Sequence, residues 1–219
     1  MIVTIDGPAG AGKSTVARAL ARRLGFRFLD TGAMYRAVAL AGLRRGLDWN
    51  QPDELARLAR QSDLKLIGQR IYLDGEDVTE TVRNSEVTAV TRYAADNVDV
   101  REHLVRLQRA LAVGQDIVTE GRDQGTVAFP RAECKIFLTA SAEERARRRV
   151  GDLMARGEPV THQQVLISQR KRDQEDTSRP VGALVPAPDA IVVATDGLSL
   201  EEVVDRIEGL VRRRMTKSE

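Results

Sequence analysis

A chain of 219 residues is long enough for one sizeable core, or a core with a small accessory subdomain, but not for two full domains. Thirty-four Lys and Arg against 32 Asp and Glu leave a formal charge of +2, so no global field draws the protein to nucleic acid or a membrane surface. One cysteine, Cys134, excludes an intramolecular disulfide and a cysteine-rich metal site, and two separated histidines, His103 and His162, do not make a zinc constellation. Cys134 lies in the apolar run 134–138 and reads as a small core residue. The chain enters its first strand at once and no apolar run approaches membrane-spanning length, so a soluble, cytoplasmic protein is expected.

The short apolar run Ile2-Val3-Thr4-Ile5 leads into Gly7-Pro8-Ala9-Gly10-Ala11-Gly12-Lys13-Ser14-Thr15, which has the form G-x-x-x-x-G-K-[ST]. A helical pattern follows: Val16, Ala17, Leu20, Ala21, Leu24. A loop that wraps a triphosphate must aim consecutive N–H groups into one concavity, and Gly7, Gly10 and Gly12 give the backbone that freedom. The helix starting near Lys13 adds its positive end, Lys13 a cation for the β- and γ-phosphates, and Ser14 a hydroxyl for Mg²⁺. The whole stretch from Gly7 to Thr15 is therefore expected to bind ATP.

Phe26-Arg27-Phe28-Leu29 reads as a second strand, and Asp30-Thr31-Gly32 as a turn opening a helix from about Ala33 to Arg45, with Thr31 at the cap. Tyr35 and Arg36 follow one turn later, so a hydroxyl, a phenol and a guanidinium surround one helix start, an arrangement suited to a second phosphate-bearing ligand. Pro52 starts a helix to about Gln61. Leu64 to Ile67 and Ile71 to Asp74, with turns at Gly68 and Gly75, read as an inserted antiparallel hairpin. Helices are expected over about Ser85 to Ala95 and Val100 to Val113. The latter carries an apolar face of Leu104, Leu107 and Leu111, flanked by Arg101, Arg106 and Arg109, for which spacing suggests a solvated side.

Asp116 to Thr119 reads as a core strand ending in Glu120-Gly121-Arg122-Asp123-Gln124-Gly125-Thr126. Ligands of open α/β sheets bind beyond the carboxyl ends of strands, which gives those polar residues a functional placing. A strand from Lys135 to Thr139 precedes a helix capped around Ser141 to Glu144, on which Arg145, Arg148 and Arg149 share one face. Three such guanidiniums repel one another unless an anion visits, as when a mobile lid closes on a triphosphate. A helix from about Gln163 to Gln174 runs into Arg172, Asp176 and Arg179, where Arg172 and Asp176 have helix ion-pair spacing. Residues 190–194 form a fifth core strand, Leu200 to Val211 a closing helix, and residues 212–219 read as a frayed end.

Taken together, these residues resemble the bacterial-type cytidylate kinases, from the first strand to the last helix. The marks are Ile5-Asp6-Gly7-Pro8, Asp30-Thr31-Gly32-Ala33-Met34-Tyr35-Arg36, residues 73–78, Gly121-Arg122-Asp123 with Gly125-Thr126, residues 135–138, Glu144-Arg145, and Arg172-Asp173 with Asp176 and Arg179. The resemblance implies an α/β P-loop NTPase fold: a five-stranded parallel sheet of order 2-3-1-4-5 flanked by helices, an antiparallel insert and a helical lid. The implied division is one kinase domain with a core of about 1–30, 114–140 and 188–214, a nucleotide-binding region of 31–113 and a lid of 141–160. It implies transfer of the γ-phosphoryl group of ATP to CMP or dCMP, with Mg²⁺, by a monomer that takes neither nucleic acid nor membrane as partner.

By the same resemblance Arg36, Arg122 and Arg179 hold the CMP phosphate, Arg172 and Asp176 the ribose, and Arg101 and Asp123 the cytosine, with Thr31 and Tyr35 lining the pocket. Thr91 would add a hydroxyl to the base. Lys13, Arg122, Arg145, Arg148 and Arg149 would act on the transferring group. Glu120 stands where the family commonly has aspartate and Gln124 where it has methionine. Two other readings stand beside this one: a P-loop kinase for another acceptor such as AMP, UMP, thymidylate or shikimate, and a nucleotide-binding regulator or RNA-binding switch. An aromatic content of 4% offers few stacking platforms for RNA.

Overall fold

The computed structural model describes residues 1–155 and 157–216. Its elements in chain order are β1 (Ile2–Asp6), α1 (Lys13–Leu24), β2 (Arg27–Asp30), α2 (Thr31–Arg44), α3 (Pro52–Gln61), β3 (Leu64–Ile67), β4 (Arg70–Leu73) and β5 (Glu76–Asp77). There follow α4 (Ser85–Asp96), α5 (Val98–Ala112), β6 (Ile117–Gly121), β7 (Cys134–Thr139), α6 (Ala142–Ala155), α7 (His162–Ser178), β8 (Ile191–Ala194) and α8 (Leu200–Met215). A five-stranded sheet has the order β2-β6-β1-β7-β8, which is 2-3-1-4-5 when only its own strands are counted, as expected. The pairs of β1 with β6, β1 with β7 and β7 with β8 are parallel. A separate three-stranded sheet, β3-β4-β5, is antiparallel and adds one short strand to the expected hairpin.

The chain divides into two compact units, residues 1–26 with 116–219, and residues 27–115. In the first, Val3, Ile5, Val118 and Leu138 are wholly buried on one face of the sheet, while Thr4 and Thr119, equally buried, lie on the other, so both faces are covered. Register sets the strand ends level: Asp6 lies beside Gly121 on one side and Phe137 on the other. The loops that leave β1 and β6 therefore start next to each other. Cys134 is buried as expected, and burial pushes its thiol up to about 11.

The second unit has its own core, in which Val38, Leu40, Leu55, Leu58, Ile71, Leu73, Val87 and Leu104 come together from α2, α3, β4, α4 and α5. Ile71 and Leu73 alternate with the more exposed Arg70 and Tyr72, the period of a strand with one covered face. Pro52 occupies the first turn of α3, where its missing N–H has no intrahelical partner to lose. The cap of α2 is Asp30, whose side chain accepts from Ala33 N; Thr31, the expected cap, is the first helical residue. A carboxylate one position earlier meets the N-terminal amide, and its charge also suits the positive helix end. At the chain's end α8 continues to Met215, so the fraying expected from 212 does not hold through that residue, and 217–219 lie outside the described residues. Among the described residues no helix is long and apolar enough to cross a membrane.

Candidate active site

In the first unit the glycine loop runs from the end of β1 to Lys13, the first residue of α1. Gly7 has φ 150° and a Cβ there would lie 1.9 Å from the Leu138 carbonyl oxygen, so no other residue can start the loop without moving β7. Lys13 is 6% exposed and its Nζ donates to Pro8 O at 2.8 Å. Burial, then the nearby Arg122, pushes its pKa down to about 7, with Arg172 acting in the same direction and Glu120 and Asp6 against. Ser14 Oγ donates to Glu120 Oε1 at 2.8 Å. A hydroxyl and a carboxylate side by side are hard oxygen donors, suited to a magnesium ion that takes its remaining ligands from nucleotide and water. No group of three His, Cys, Asp or Glu suited to a metal occurs among the described residues, so the pair does not by itself make a protein-only cage.

Beyond β6 the chain makes a π-helical turn, Gln124–Ala128. Its first amides are capped from another strand: Asp6 accepts from Gln124 N at 2.8 Å and Gly125 N at 2.7 Å. Burial raises the Asp6 carboxyl to about 6, against the lowering effect of those two N–H groups. Gln124, the departure from the family pattern, is 2% exposed and takes a hydrogen bond from Thr119 Oγ1 at 2.9 Å. Asp123 is buried as well.

Asp176 of α7 draws two of the expected acceptor arginines together. Arg122 Nε donates to its Oδ2 at 2.7 Å and Arg179 Nη2 to its Oδ1 at 2.8 Å. Burial opposes the charged carboxylate, yet Arg122, Arg179 and Arg172 hold it below its usual range. The Arg172–Asp176 spacing thus belongs to a larger cluster than a single helix pair.

The three arginines of α6 have different surroundings. Arg145 is 5% exposed and forms a bidentate pair with Asp173. Arg148 donates to Glu144 Oε1 and to Thr195, and its Nη1 comes within 3.9 Å of where a Gly12 Cβ would stand. Arg149 is half-buried and makes no hydrogen bond or ion pair among the described residues. The mutual repulsion expected of the trio is thus offset by carboxylates at Arg145 and Arg148. Sequence reasoning gave no role to Asp173 and did not connect Glu120 to Ser14; the second pair spans 106 positions, and no local pattern announces it.

In the second unit Arg101 is 3% exposed, so its expected place on a solvated face does not hold. Its Nη1 donates to Ala95 O at 3.0 Å and its guanidinium stands 5.6 Å from the centre of the Tyr35 ring. Arg106 and Arg109 are exposed as expected. Arg36 donates to Thr88 Oγ1 at 2.6 Å and to Val82 O at 3.3 Å. Thr31 is buried, and Thr91 Oγ1 turns back to Val87 O at 2.7 Å.

Residues 3–213 match the family model described as cytidylate kinase. The chain is 53% identical to the cytidylate kinase of Rhodopirellula baltica over 212 residues, covering 97% of this chain and 93% of that one. It is 51% identical to the cytidylate kinase of Pelotomaculum thermopropionicum over 210 residues, 94% and 93% of the two chains. In fold it is similar to a solved shikimate kinase from Bacteroides thetaiotaomicron, with TM-score 0.50 and 15% identity over 97% and 98% of the chains. The glycine loop, the parallel sheet and a match across nearly the whole length thus agree, and the chain belongs to the cytidylate kinase family.

Proposed function

We propose a division of labour among these side chains for the reaction that family membership gives the protein. It is a nucleoside monophosphate kinase, transferring the γ-phosphoryl group of ATP to CMP or dCMP with release of ADP and CDP or dCDP. The observation that carries the assignment of roles is the buried Lys13 at the start of α1, its Nζ on the Pro8 carbonyl of the glycine loop, where burial and then Arg122 disfavour its proton. A polyphosphate in the loop offsets both.

Residues Gly7 to Thr15 wrap the triphosphate, Lys13 neutralises its β- and γ-groups, and Arg148 and Arg149 of the lid, about 141–160, meet the transferring group. Position 156 of that lid lies outside the described residues. Mg²⁺ carried by ATP supplies further charge neutralisation, and Ser14 with Glu120 would hold it. Arg36, Arg122 and Arg179 take the CMP phosphate, Arg172 and Asp176 the ribose, Arg101 and Asp123 the cytosine, with Thr31 and Tyr35 beside them and Thr91 adding a hydroxyl. The segment 31–113 is the nucleotide-binding region of a single kinase domain whose core is about 1–30, 114–140 and 188–214. The attacking phosphate oxygen of CMP is already ionised, so the protein needs no catalytic base; it aligns two anions and excludes water. A monomer acting on free nucleotides in the cytoplasm completes the proposal.

An ADP-release assay with ATP, Mg²⁺ and CMP, dCMP, UMP, AMP, dTMP or shikimate tests it. Turnover with CMP and dCMP above the rest is expected. Preference for another acceptor would keep the loop and overturn the acceptor residues, while no turnover with any would favour a nucleotide-binding regulator.

A further inference from the structure

Arg145 shares its helical face with Arg148 and Arg149, but its donors are committed elsewhere. Nε donates to Ala140 O at 3.1 Å, Nη1 to Ala9 O at 3.0 Å and Asp173 Oδ1 at 3.2 Å, and Nη2 to Asp173 Oδ2 at 2.6 Å. A guanidinium has five N–H groups in a fixed fork, and four of those of Arg145 go to a carboxylate and two carbonyls. To present a phosphate with its two-pronged fork it would have to leave Asp173, and separating a largely buried pair is costly.

One of its partners, Ala9 O, belongs to the glycine loop itself. A trans peptide points its C=O and the following N–H in opposite directions, so a carbonyl fixed on Arg145 also fixes the direction of Gly10 N–H. Orientation of such amides is what makes a glycine loop bind anions. Packing supports the same seat. Gly10 has φ 80°, and a Cβ there would stand 2.9 Å from Gln169 Nε2 and 3.2 Å from Arg145 Cβ. Gln169 Nε2 in turn donates to Arg145 O at 3.2 Å. The loop thus rests on α6 and α7 at a point where only glycine leaves room. Asp173 is three residues before Asp176, so the helix that steadies the ATP loop also carries the carboxylate joining Arg122 to Arg179.

We infer that Arg145 is a positioning residue of the ATP loop, acting as one unit with Asp173 through the Ala9 carbonyl, and is not one of the cations that meet the transferring phosphoryl group. The inference rests on the kinase reading above for the roles of loop and helix. It goes beyond that reading in assigning Asp173 a function and in separating Arg145 from its two neighbours.

The test is a double-mutant cycle of R145A, D173A and the double variant, read as kcat and KM for each substrate and as calorimetric affinity for a non-hydrolysable ATP analogue. Each single variant should raise the ATP KM and weaken the analogue by about tenfold, the scale of one charged hydrogen-bonding contact. The double variant should be no worse than the weaker single one, because both changes remove the same unit. The CMP KM should stay within about threefold of wild type, and R145K should not restore ATP binding, since an ammonium cannot span Ala9 O and both Asp173 oxygens. A fall in kcat of about a hundredfold in R145A at unchanged ATP KM, with D173A near wild type and R145K partly active, would place Arg145 on the phosphates and overturn the inference. If R145A does not fold, D173N keeps the test open: weaker analogue binding at near-native melting temperature supports the unit, and unchanged binding refutes it. Analogue binding needs no acceptor, so absence of CMP turnover in the wild type would count against the proposed reaction without touching the cycle.

Discussion

The two units hold their carboxylate-paired arginines at different depths. In the first, Arg122 and Arg179 divide the two oxygens of Asp176, and Arg145 takes both oxygens of Asp173. In the second, Arg36 donates to a hydroxyl and a carbonyl and Arg101 to a carbonyl beside an aromatic ring. A carboxylate fixes a guanidinium but cancels much of its charge, whereas a neutral acceptor orients it and leaves the charge in place. The strand-end cluster therefore shares its charge between largely buried partners. In residues 27–115 the pairs of Arg44 with Glu76 and Arg83 with Asp30 are made by arginine side chains 40% and 39% exposed.

The comparison is broken most strongly at Lys13, whose burial disfavours the charge it carries. Lys13→Met should lower kcat by about a thousandfold or more, the scale of losing a preorganised charge at a developing anion. It should also stabilise the nucleotide-free protein. The unfolded lysine keeps its proton to about 10.5 and the folded one only to about 7, so the native state binds fewer protons between those values. Stability then rises with pH across that window, and below about 7 the full cost of the buried charge is present. Melting curves should place the variant a few degrees above wild type at pH 7, with the gap closing as pH nears 10.5. A lower melting point at pH 7 would mean that Lys13 is well compensated.

Asp176→Ala comes next. Removing the shared carboxylate breaks its bonds to both Arg122 and Arg179, and the CMP KM should rise by about a hundredfold with a smaller change in the ATP KM. Arg149→Ala should lower kcat by about tenfold and leave both KM values near wild type, as expected of a cation engaged only as the phosphoryl group moves. A KM effect at Arg149 with a kcat effect at Asp176 would reverse the two roles. The smallest kinetic effect is expected from a packing change in the second unit. A Cβ at Gly42 would come 2.7 Å from the Trp49 ring, so Gly42→Ala should cost about 1–3 kcal/mol of stability while kcat stays within about twofold.

The parts legible in the sequence are those with local causes. A glycine loop between a short apolar run and a helical repeat names itself, and the placing of the polar residues at the end of β6 follows from where α/β sheets bind ligands. Arg101 departs from the solvated side that spacing suggests because Leu104, Leu107 and Leu111 do not define the buried face of α5. The stripe actually buried includes Arg101, Leu104 and Gln108, at the same helical spacing but with two polar members. Thr31 yielded the cap of α2 to Asp30 because either residue type suits such a position and only geometry chooses. Partnerships such as Ser14 with Glu120, or Arg145 with Asp173, join segments 106 and 28 positions apart, and no periodicity encodes them.

Asp6 has a consequence for redesign. Its carboxylate sits at the mouth of one loop and ties down the first amides of the next, so the glycine loop and the turn that follows Arg122 behave as one cassette. Neither can be grafted, lengthened or retuned alone without unseating the other. Under the proposed roles, altered base preference is better sought among Tyr35, Thr91 and Arg101, where Thr91 bonds to Val87 O and Arg101 to Ala95 O beside the Tyr35 ring.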